Sequence, residues 1–123
     1  MRLIAHRGFA GVNPENTLTA VGEAATVADA VEVDIRRCAT GELVVVHDET
    51  VDRVTDGEGP VADHSLAELR GLDVLGTGEG VPTLEAVLEA VPDGVGANVE
   101  LKEPGTAADA LAAMDASIPS VRR

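Results

Sequence analysis

The stretch Ala30-Val-Glu-Val-Asp-Ile-Arg36 decides the fold, because its residues alternate between apolar and charged side chains. Alternation with a period of two predicts a β-strand with one apolar and one charged face. The apolar face carries Val31, Val33 and Ile35, and the charged face carries Glu32, Asp34 and Arg36. This pattern predicts a strand that packs against helices on one side and presents ionisable groups on the other.

Apolar stretches elsewhere in the chain predict the partners of this strand. Three of them have strand-like composition: residues 2–5, 43–46 and 97–101. Capping residues and apolar positions at helical spacing predict four helices: one capped by Asn16 and running to about Ala25, then residues 65–72, 83–91 and 106–114. Because strands alternate with helices, we expect an α/β fold with a mostly parallel sheet and helices outside it.

The composition fits one domain and argues against several classes of function. A chain of 123 residues is long enough for a core, which must be aliphatic because Phe9 is the only aromatic residue. The net charge of −13 argues against a nucleic-acid partner, since phosphate backbones bind basic surfaces. The single cysteine, Cys38, excludes an internal disulfide, and no apolar run approaches the ~20 residues of a membrane span. We therefore expect a cytoplasmic protein without a membrane span or signal peptide.

The basic residues are unevenly divided, with eight arginines and one lysine, Lys102. An acidic, lysine-poor chain suits a cell with high internal salt, where screening weakens self-repulsion. A GC-rich genome with ordinary acidity is the alternative explanation.

Glu32 and Asp34 are the first candidates for a site, because residues i and i+2 of a strand share a face. Two carboxylates on an inward face repel each other and resist desolvation, and a divalent cation relieves both costs. Oxygen ligands suit Mg²⁺, Ca²⁺ or Mn²⁺ better than Zn²⁺. The alternative is a solvated strand edge, or an ion pair with Arg36.

Glu100 and Lys102 share a face by the same argument. The glutamate can complete the metal site, and the lysine can hold a phosphate oxygen as a point charge. The alternative is an exposed ion pair at the end of a strand. A lysine on a solvated face is expected to be one of several lysines in a chain. Because Lys102 is the only one, we favour a functional role for it.

Two histidines, His6 and His47, each follow an apolar strand. Imidazole titrates near neutral pH, so the two can serve as acid and base across a scissile phosphodiester bond. Arg7 would neutralise phosphate charge in the transition state. The alternatives are a structural histidine that caps a strand, and an ion pair of Arg7 with Glu15 or Asp48.

These ionisable residues fall at or near the ends of four predicted strands. Loops at the C-terminal ends of parallel strands are where α/β barrels place their sites. We therefore predict that the four strand ends form one site, a metal-assisted phosphodiesterase centre. The third histidine, His64, precedes a predicted helix and is expected at the surface.

Seven short motifs follow one another along the chain: His6-Arg-Gly8, Pro14-Glu-Asn-Thr17, Glu32-Val-Asp34, His47-Asp48, Asp52-Arg53, Pro82-Thr-Leu84 and Glu100-Leu-Lys102. In order and spacing they resemble the glycerophosphodiester phosphodiesterase family, up to about residue 113. The resemblance implies a TIM barrel that hydrolyses glycerophosphodiesters to glycerol 3-phosphate and an alcohol. It also implies a single partial domain of residues 1–123, with 49–81 as a small inserted region and 115–123 as a tail.

The resemblance also implies a role for each candidate residue. The acid–base pair is His6 and His47, without a decision on which is acid and which is base. The metal, Mg²⁺ or Ca²⁺, is held by Glu32, Asp34 and Glu100; the phosphate is contacted by Arg7 and Lys102; and the first loop is supported by Glu15 and Asn16.

The chain is about half as long as a TIM barrel of ~250 residues, so we expect only the first half of the barrel, four strands with flanking helices. A truncated reading frame, completion by a second chain, and dimerisation are three explanations for such a half-barrel. Two rival functions remain open. One is a non-catalytic fragment or binding module that needs a partner, and the other is a cyclising phosphodiester lyase of a related barrel family.

Overall fold

The structure is a computed structural model that describes residues 4–6, 16–26, 28, 30–91, 94–103 and 105–116, with the backbone alone for 4–6 and 115–116. The strands are β1 (Ile4–His6), β2 (Ala30–Arg37), β3 (Leu43–Val45) and β4 (Gly96–Leu101). The α-helices are α1 (Leu18–Ala24), α2 (Leu66–Gly71), α3 (Leu84–Ala90) and α4 (Ala107–Ala116), and a 3-10 helix covers Val61–Asp63. The predicted α/β class is confirmed.

β2 is the central strand, and it is paired along both edges. One edge carries β4, parallel, with Ala30 opposite Gly96 and Ile35 opposite Leu101. The other edge carries two short strands in turn. β1 runs parallel to the first residues of β2, and β3 runs antiparallel to the last three. Each of the other three described strands therefore pairs with β2.

The direction of β3 differs from that of the strands of a barrel. Only residues 38–42 separate β2 from β3, and a parallel return needs a crossover of about a dozen residues or more. The chain instead turns back at Gly41, where φ is +95°, and forms a hairpin. Three of the four described strands are thus parallel, and the expectation of a half-barrel of four strands is not confirmed.

The apolar face of β2 forms the larger core. Val31, Val33 and Ile35 are each at most 2% exposed, as their alternation predicts. Their neighbours from the helices are Val21 of α1, Leu84 and Leu88 of α3, and Ala110 and Met114 of α4. Because helices cover this face, the charged residues of β2 lie on the opposite face.

A second apolar cluster lies beneath residues 49–81 and shares β3 with the first core. Leu43 and Val45 belong to the larger core, whereas Val44 and Val46 face the second. The second cluster is completed by Cys38, Val51, Val54, Val61, Leu69, Val74 and Val81. A capping box starts α2, in which Ser65 and Glu68 are bonded reciprocally.

The predicted cap of α1 is wrong by one residue. Thr17 is the N-cap, because its Oγ1 accepts a hydrogen bond from the Ala20 N–H at 3.1 Å. Asn16 precedes it with a φ of +57°, a left-handed conformation that asparagine tolerates better than most residues. Within the described ranges no helix combines the length and apolar character needed to cross a membrane.

Gly80 lets the loop before α3 approach α2 closely. A Cβ at this position would lie 2.2 Å from the backbone oxygen of Arg70, whereas one at Gly22 in α1 would meet no atom of the described residues within 4 Å. We expect Gly80→Ala to lower the free energy of unfolding by about 1–3 kcal/mol through backbone overlap. Gly22→Ala should raise it by up to about 1 kcal/mol through helix propensity. Urea unfolding of both variants tests the pair, and equal effects would contradict the close approach.

Candidate active site

The sheet registers bring the predicted acidic residues together on the charged face of β2. Asp34 is directly opposite Glu100 of β4, and Glu32 is opposite Asn98. Asp34 is fully buried, whereas Glu32 is half-buried and Glu100 is 45% exposed. The acidic pair of β2 lies within the strand and not at its end, because β2 continues to Arg37.

The two predicted catalytic histidines lie along the same edge of β2. His6 ends β1 and is opposite Glu32. On the same edge β3 approaches from the other direction, and its last ladder bond joins the Val46 N–H to the Asp34 carbonyl at 3.0 Å. His47 follows immediately and continues towards the end of β1. The backbones of both histidines therefore lie next to the Glu32–Asp34 segment, although β3 is not parallel.

Asp34 sits in a polar environment that several segments provide. Asn16 donates a hydrogen bond from Nδ2 to Asp34 Oδ2 at 3.3 Å. The Lys102 Nζ lies 3.7 Å from Asp34 Oδ1. Burial raises the pKa of Asp34, and a hydrogen bond with the Glu100 carboxyl raises it further, against the opposing effects of Asn16, His47 and Lys102.

Lys102 lies between two carboxylates. Its Nζ is 3.0 Å from Glu100 Oε1 as well as 3.7 Å from Asp34 Oδ1, and its side chain is 21% exposed. The alternative of an exposed Glu–Lys pair thus holds for the contact with Glu100, but the lysine also reaches the buried acid. A cation between the two carboxylates is what their charges require.

The predicted metal ligands are only partly assembled. Across the part of the chain that the structure describes, no group of three or more His, Cys, Asp or Glu side chains is gathered closely enough to hold a metal ion. Asp34 and Glu100 share the Lys102 ammonium as a partner, and Glu32 lies two residues before Asp34 on the same face. Their oxygen donors and the buried acid fit a hard divalent cation in chemistry and charge.

The His47 ring contacts the carboxylate of Asp48, which in turn is bound by Arg53. Its Nδ1 lies 2.9 Å from Asp48 Oδ1, and Arg53 binds the same carboxylate with Nε at 2.7 Å and Nη2 at 3.1 Å. The hydrogen bond from Arg53 is the main reason that the pKa of Asp48 falls to about 2. An ionised carboxylate accepts only, so Nδ1 carries the proton and Nε2 remains available for chemistry.

Sequence reasoning found most of these residues and missed four. Asp48 and Arg53 belong to recognisable motifs but have no role predicted from sequence, and the sequence does not assign Arg36 or Glu103 to the site. The adjacency of Asp48 to His47 was the one local signal that could have predicted their hydrogen bond. Two predicted residues, Arg7 and Glu15, lie outside the described residues, as does the side chain of His6. His64, expected at the surface, is half-buried, and its Nδ1 lies 2.7 Å from the Pro60 carbonyl oxygen.

Known proteins of one family match most of this chain. The sequence model of the glycerophosphoryl diester phosphodiesterase family matches residues 6–118. The chain belongs to this family. Glycerophosphoryl diester phosphodiesterases generally depend on a divalent metal, and their solved structures are TIM barrels.

Individual family members show the same similarity. The glycerophosphodiester phosphodiesterase of Caldanaerobacter subterraneus subsp. tengcongensis is 46% identical over 98 residues, which cover 74% of this chain and 40% of that protein. A crystal structure of the Agrobacterium tumefaciens str. C58 enzyme superposes with a TM-score of 0.89 at 36% identity, and covers 98% of this chain and 56% of that one.

A phosphodiesterase from Oleispira antarctica, in complex with the product sn-glycerol-3-phosphate, superposes with a TM-score of 0.83 at 32% identity. The match covers 100% of this chain and 54% of that one. This chain therefore spans about half the length of the glycerophosphoryl diester phosphodiesterases that it matches.

The ion pair between Asp48 and Arg53 makes the free energy of unfolding depend on pH. Because the folded-state pKa of about 2 lies below the unfolded value of ~3.9, the pair contributes fully above about pH 4 and is lost as pH falls through about 2. We expect Asp48→Asn to lower the free energy of unfolding at pH 6 by at most about 2 kcal/mol, and less in salt, since Arg53 is half-exposed.

The measurement is urea unfolding of wild type and Asp48→Asn between pH 6 and pH 2, with the exposed Asp63→Asn as the control for loss of one negative charge. The difference between wild type and Asp48→Asn should shrink towards pH 2. A difference that stays constant over this range would contradict the pairing with Arg53.

Proposed function

We propose that this chain carries a metal-dependent phosphodiesterase site that hydrolyses glycerophosphodiesters to glycerol 3-phosphate and an alcohol, with His6 and His47 as acid and base. One observation carries the proposal. His47, oriented by the ionised Asp48, lies on the same edge of β2 as His6 and beside the buried Asp34. The product bound by the Oleispira antarctica relative agrees with this substrate class.

Hydrolysis of a phosphodiester needs two proton transfers. Water attacks phosphorus and loses a proton, the bond from phosphorus to the alcohol oxygen breaks, and that oxygen gains a proton. His47 can perform either transfer through Nε2, because its Nδ1–H is directed to Asp48. The ionised Asp48 also stabilises the imidazolium that forms when His47 accepts a proton. The second transfer is assigned to His6.

Charge on the phosphate requires cations in the site. When a divalent metal is bound, it polarises the phosphoryl oxygen and neutralises developing negative charge. Glu32, Asp34 and Glu100 would hold it through oxygen ligands, which suit Mg²⁺ or Ca²⁺. Lys102, which reaches both Asp34 and Glu100, would contact a phosphate oxygen as a point charge. Arg7 has the same proposed role.

Activity is tested by release of glycerol 3-phosphate from glycerophosphocholine. We expect His47→Asn to reduce kcat by about 10²–10⁴-fold, the range for loss of a general acid or base. His64→Asn is the matched histidine control and should retain activity, because His64 bonds to the Pro60 carbonyl within another loop. Phosphorus NMR of the product separates direct hydrolysis from cyclisation. A folded, metal-loaded protein that releases no product would refute the proposal and favour a binding module.

Metal binding is tested separately by calorimetric titration with Mg²⁺, Ca²⁺ and Mn²⁺. We expect Asp34→Asn to weaken binding by about tenfold or more, because it removes the buried carboxylate ligand. Glu58→Gln, on the exposed part of the loop before the 3-10 helix, is the control for general loss of charge and should bind as the wild type does. Equal affinities of the two variants would exclude Asp34 as a ligand.

A further inference from the structure

We propose that Arg36 is a positioning residue for His47, and that Glu103 holds Arg36 in place. The inference rests on the proposed function, in which His47 transfers a proton. Arg36 lies near the end of β2, on the same face as Glu32 and Asp34. Its Nε donates a hydrogen bond to the His47 carbonyl oxygen at 3.1 Å.

Glu103 binds the Arg36 guanidinium through a different nitrogen from the one that bonds to His47. Arg36 Nη1 lies 3.4 Å from Glu103 Oε2, with side-chain exposures of 14% for Arg36 and 27% for Glu103. The other carboxylate oxygen, Oε1, accepts a hydrogen bond from the Arg37 backbone N–H at 2.9 Å. The carboxylate thus connects the segment after β4 to the end of β2, and the arginine extends the connection to the segment after β3.

The other contacts near His47 show what the hydrogen bond from Arg36 adds. Asp48 and Arg53 orient the imidazole, but both belong to the same loop as His47. They fix the ring relative to that loop and not relative to the sheet. The last ladder bond of β3, from the Val46 N–H to the Asp34 carbonyl, lies one residue earlier. Arg36 therefore ties the His47 backbone itself to the strand that carries Asp34.

A mostly buried arginine in this position is also well suited to the task. Its planar guanidinium donates in two fixed directions, one to a carbonyl and one to a carboxylate. A lysine in its place would keep the charge opposite Glu103 but would lack the Nε–H that reaches His47. The requirement is therefore for arginine geometry and not for positive charge alone.

The adjacent Arg37 provides a matched control. It points to the other side of β2, where its guanidinium bonds to Asp109 at 2.7 Å and to the Gly41 carbonyl at 2.7 Å. Arg37→Met removes the same number of atoms and the same charge as Arg36→Met. It leaves the contact with His47 intact, and its backbone N–H can still donate to Glu103.

With the proposed activity as the readout, we expect Arg36→Met to lower kcat by about tenfold to a hundredfold with little change in KM, because a displaced catalytic group loses its alignment. Arg37→Met should keep both parameters within about twofold. Arg36→Lys should lose as much activity as Arg36→Met, whereas a role of charge alone would let the lysine restore it. Arg36→Lys also supplies the comparison if Arg36→Met fails to fold.

A readout independent of activity is the nitrogen NMR spectrum of the histidine side chains. Arg36→Met should shift or broaden the imidazole signals of His47 and leave those of His64 unchanged, and Arg37→Met should change neither. Unchanged His47 signals in Arg36→Met would overturn the inference. If no preparation hydrolyses substrate, the proposed function fails, and the His47 signals alone decide whether Arg36 positions this residue.

Discussion

The burial of the Asp34 carboxylate is the constraint on which the candidate site depends. A carboxylate without exposed surface in the middle of a central strand is costly unless polar groups surround it. The chain supplies them from two places, Asn16 before α1 and Lys102 just after β4, whereas Glu100 within β4 adds to the cost because it raises the pKa of Asp34. A fully apolar residue at position 34 would remove the cost and also the reason for these contacts. The arrangement therefore keeps a buried acid at a cost in stability, as the proposed role of Asp34 as a metal ligand requires.

Much of this could be predicted from sequence because the governing patterns are local. The alternation in β2 identified the buried and charged faces. Because residues i and i+2 of a strand share a face, the sequence also predicted that Glu32 lies beside Asp34 and Glu100 beside Lys102. The direction of β3 was not predicted, because a short apolar strand reads the same in both directions. Only the length of the connection encodes it, and five residues between β2 and β3 permit only a hairpin.

Two residues that sequence reasoning misassigned, Asn16 and Arg36, depend on distant partners. Asn16 and Thr17 are both good N-caps by residue type. The Asn16 side chain instead donates a hydrogen bond to Asp34, eighteen positions later, and Thr17 caps the helix. Arg36 read as a simple partner for Glu32 or Asp34 on its own strand. It instead pairs with Glu103, whose sequence separation of 67 residues leaves no local pattern to find. The fold brings these residues together, so their contacts became visible only with the structure.

The antiparallel hairpin also explains how so few residues bring the two proposed catalytic histidines, His6 and His47, to one edge of β2. If β3 ran parallel to β2, His47 would leave the sheet beyond Arg37, far from β1, which ends opposite Glu32. Because the hairpin reverses the chain, β3 runs back along the edge of β2 and delivers His47 towards His6. Such a short strand has few ladder bonds to hold its end. The Arg36–Glu103 bridge supplies an additional tie at that point, from the two strands, β2 and β4, that are paired over the greatest length.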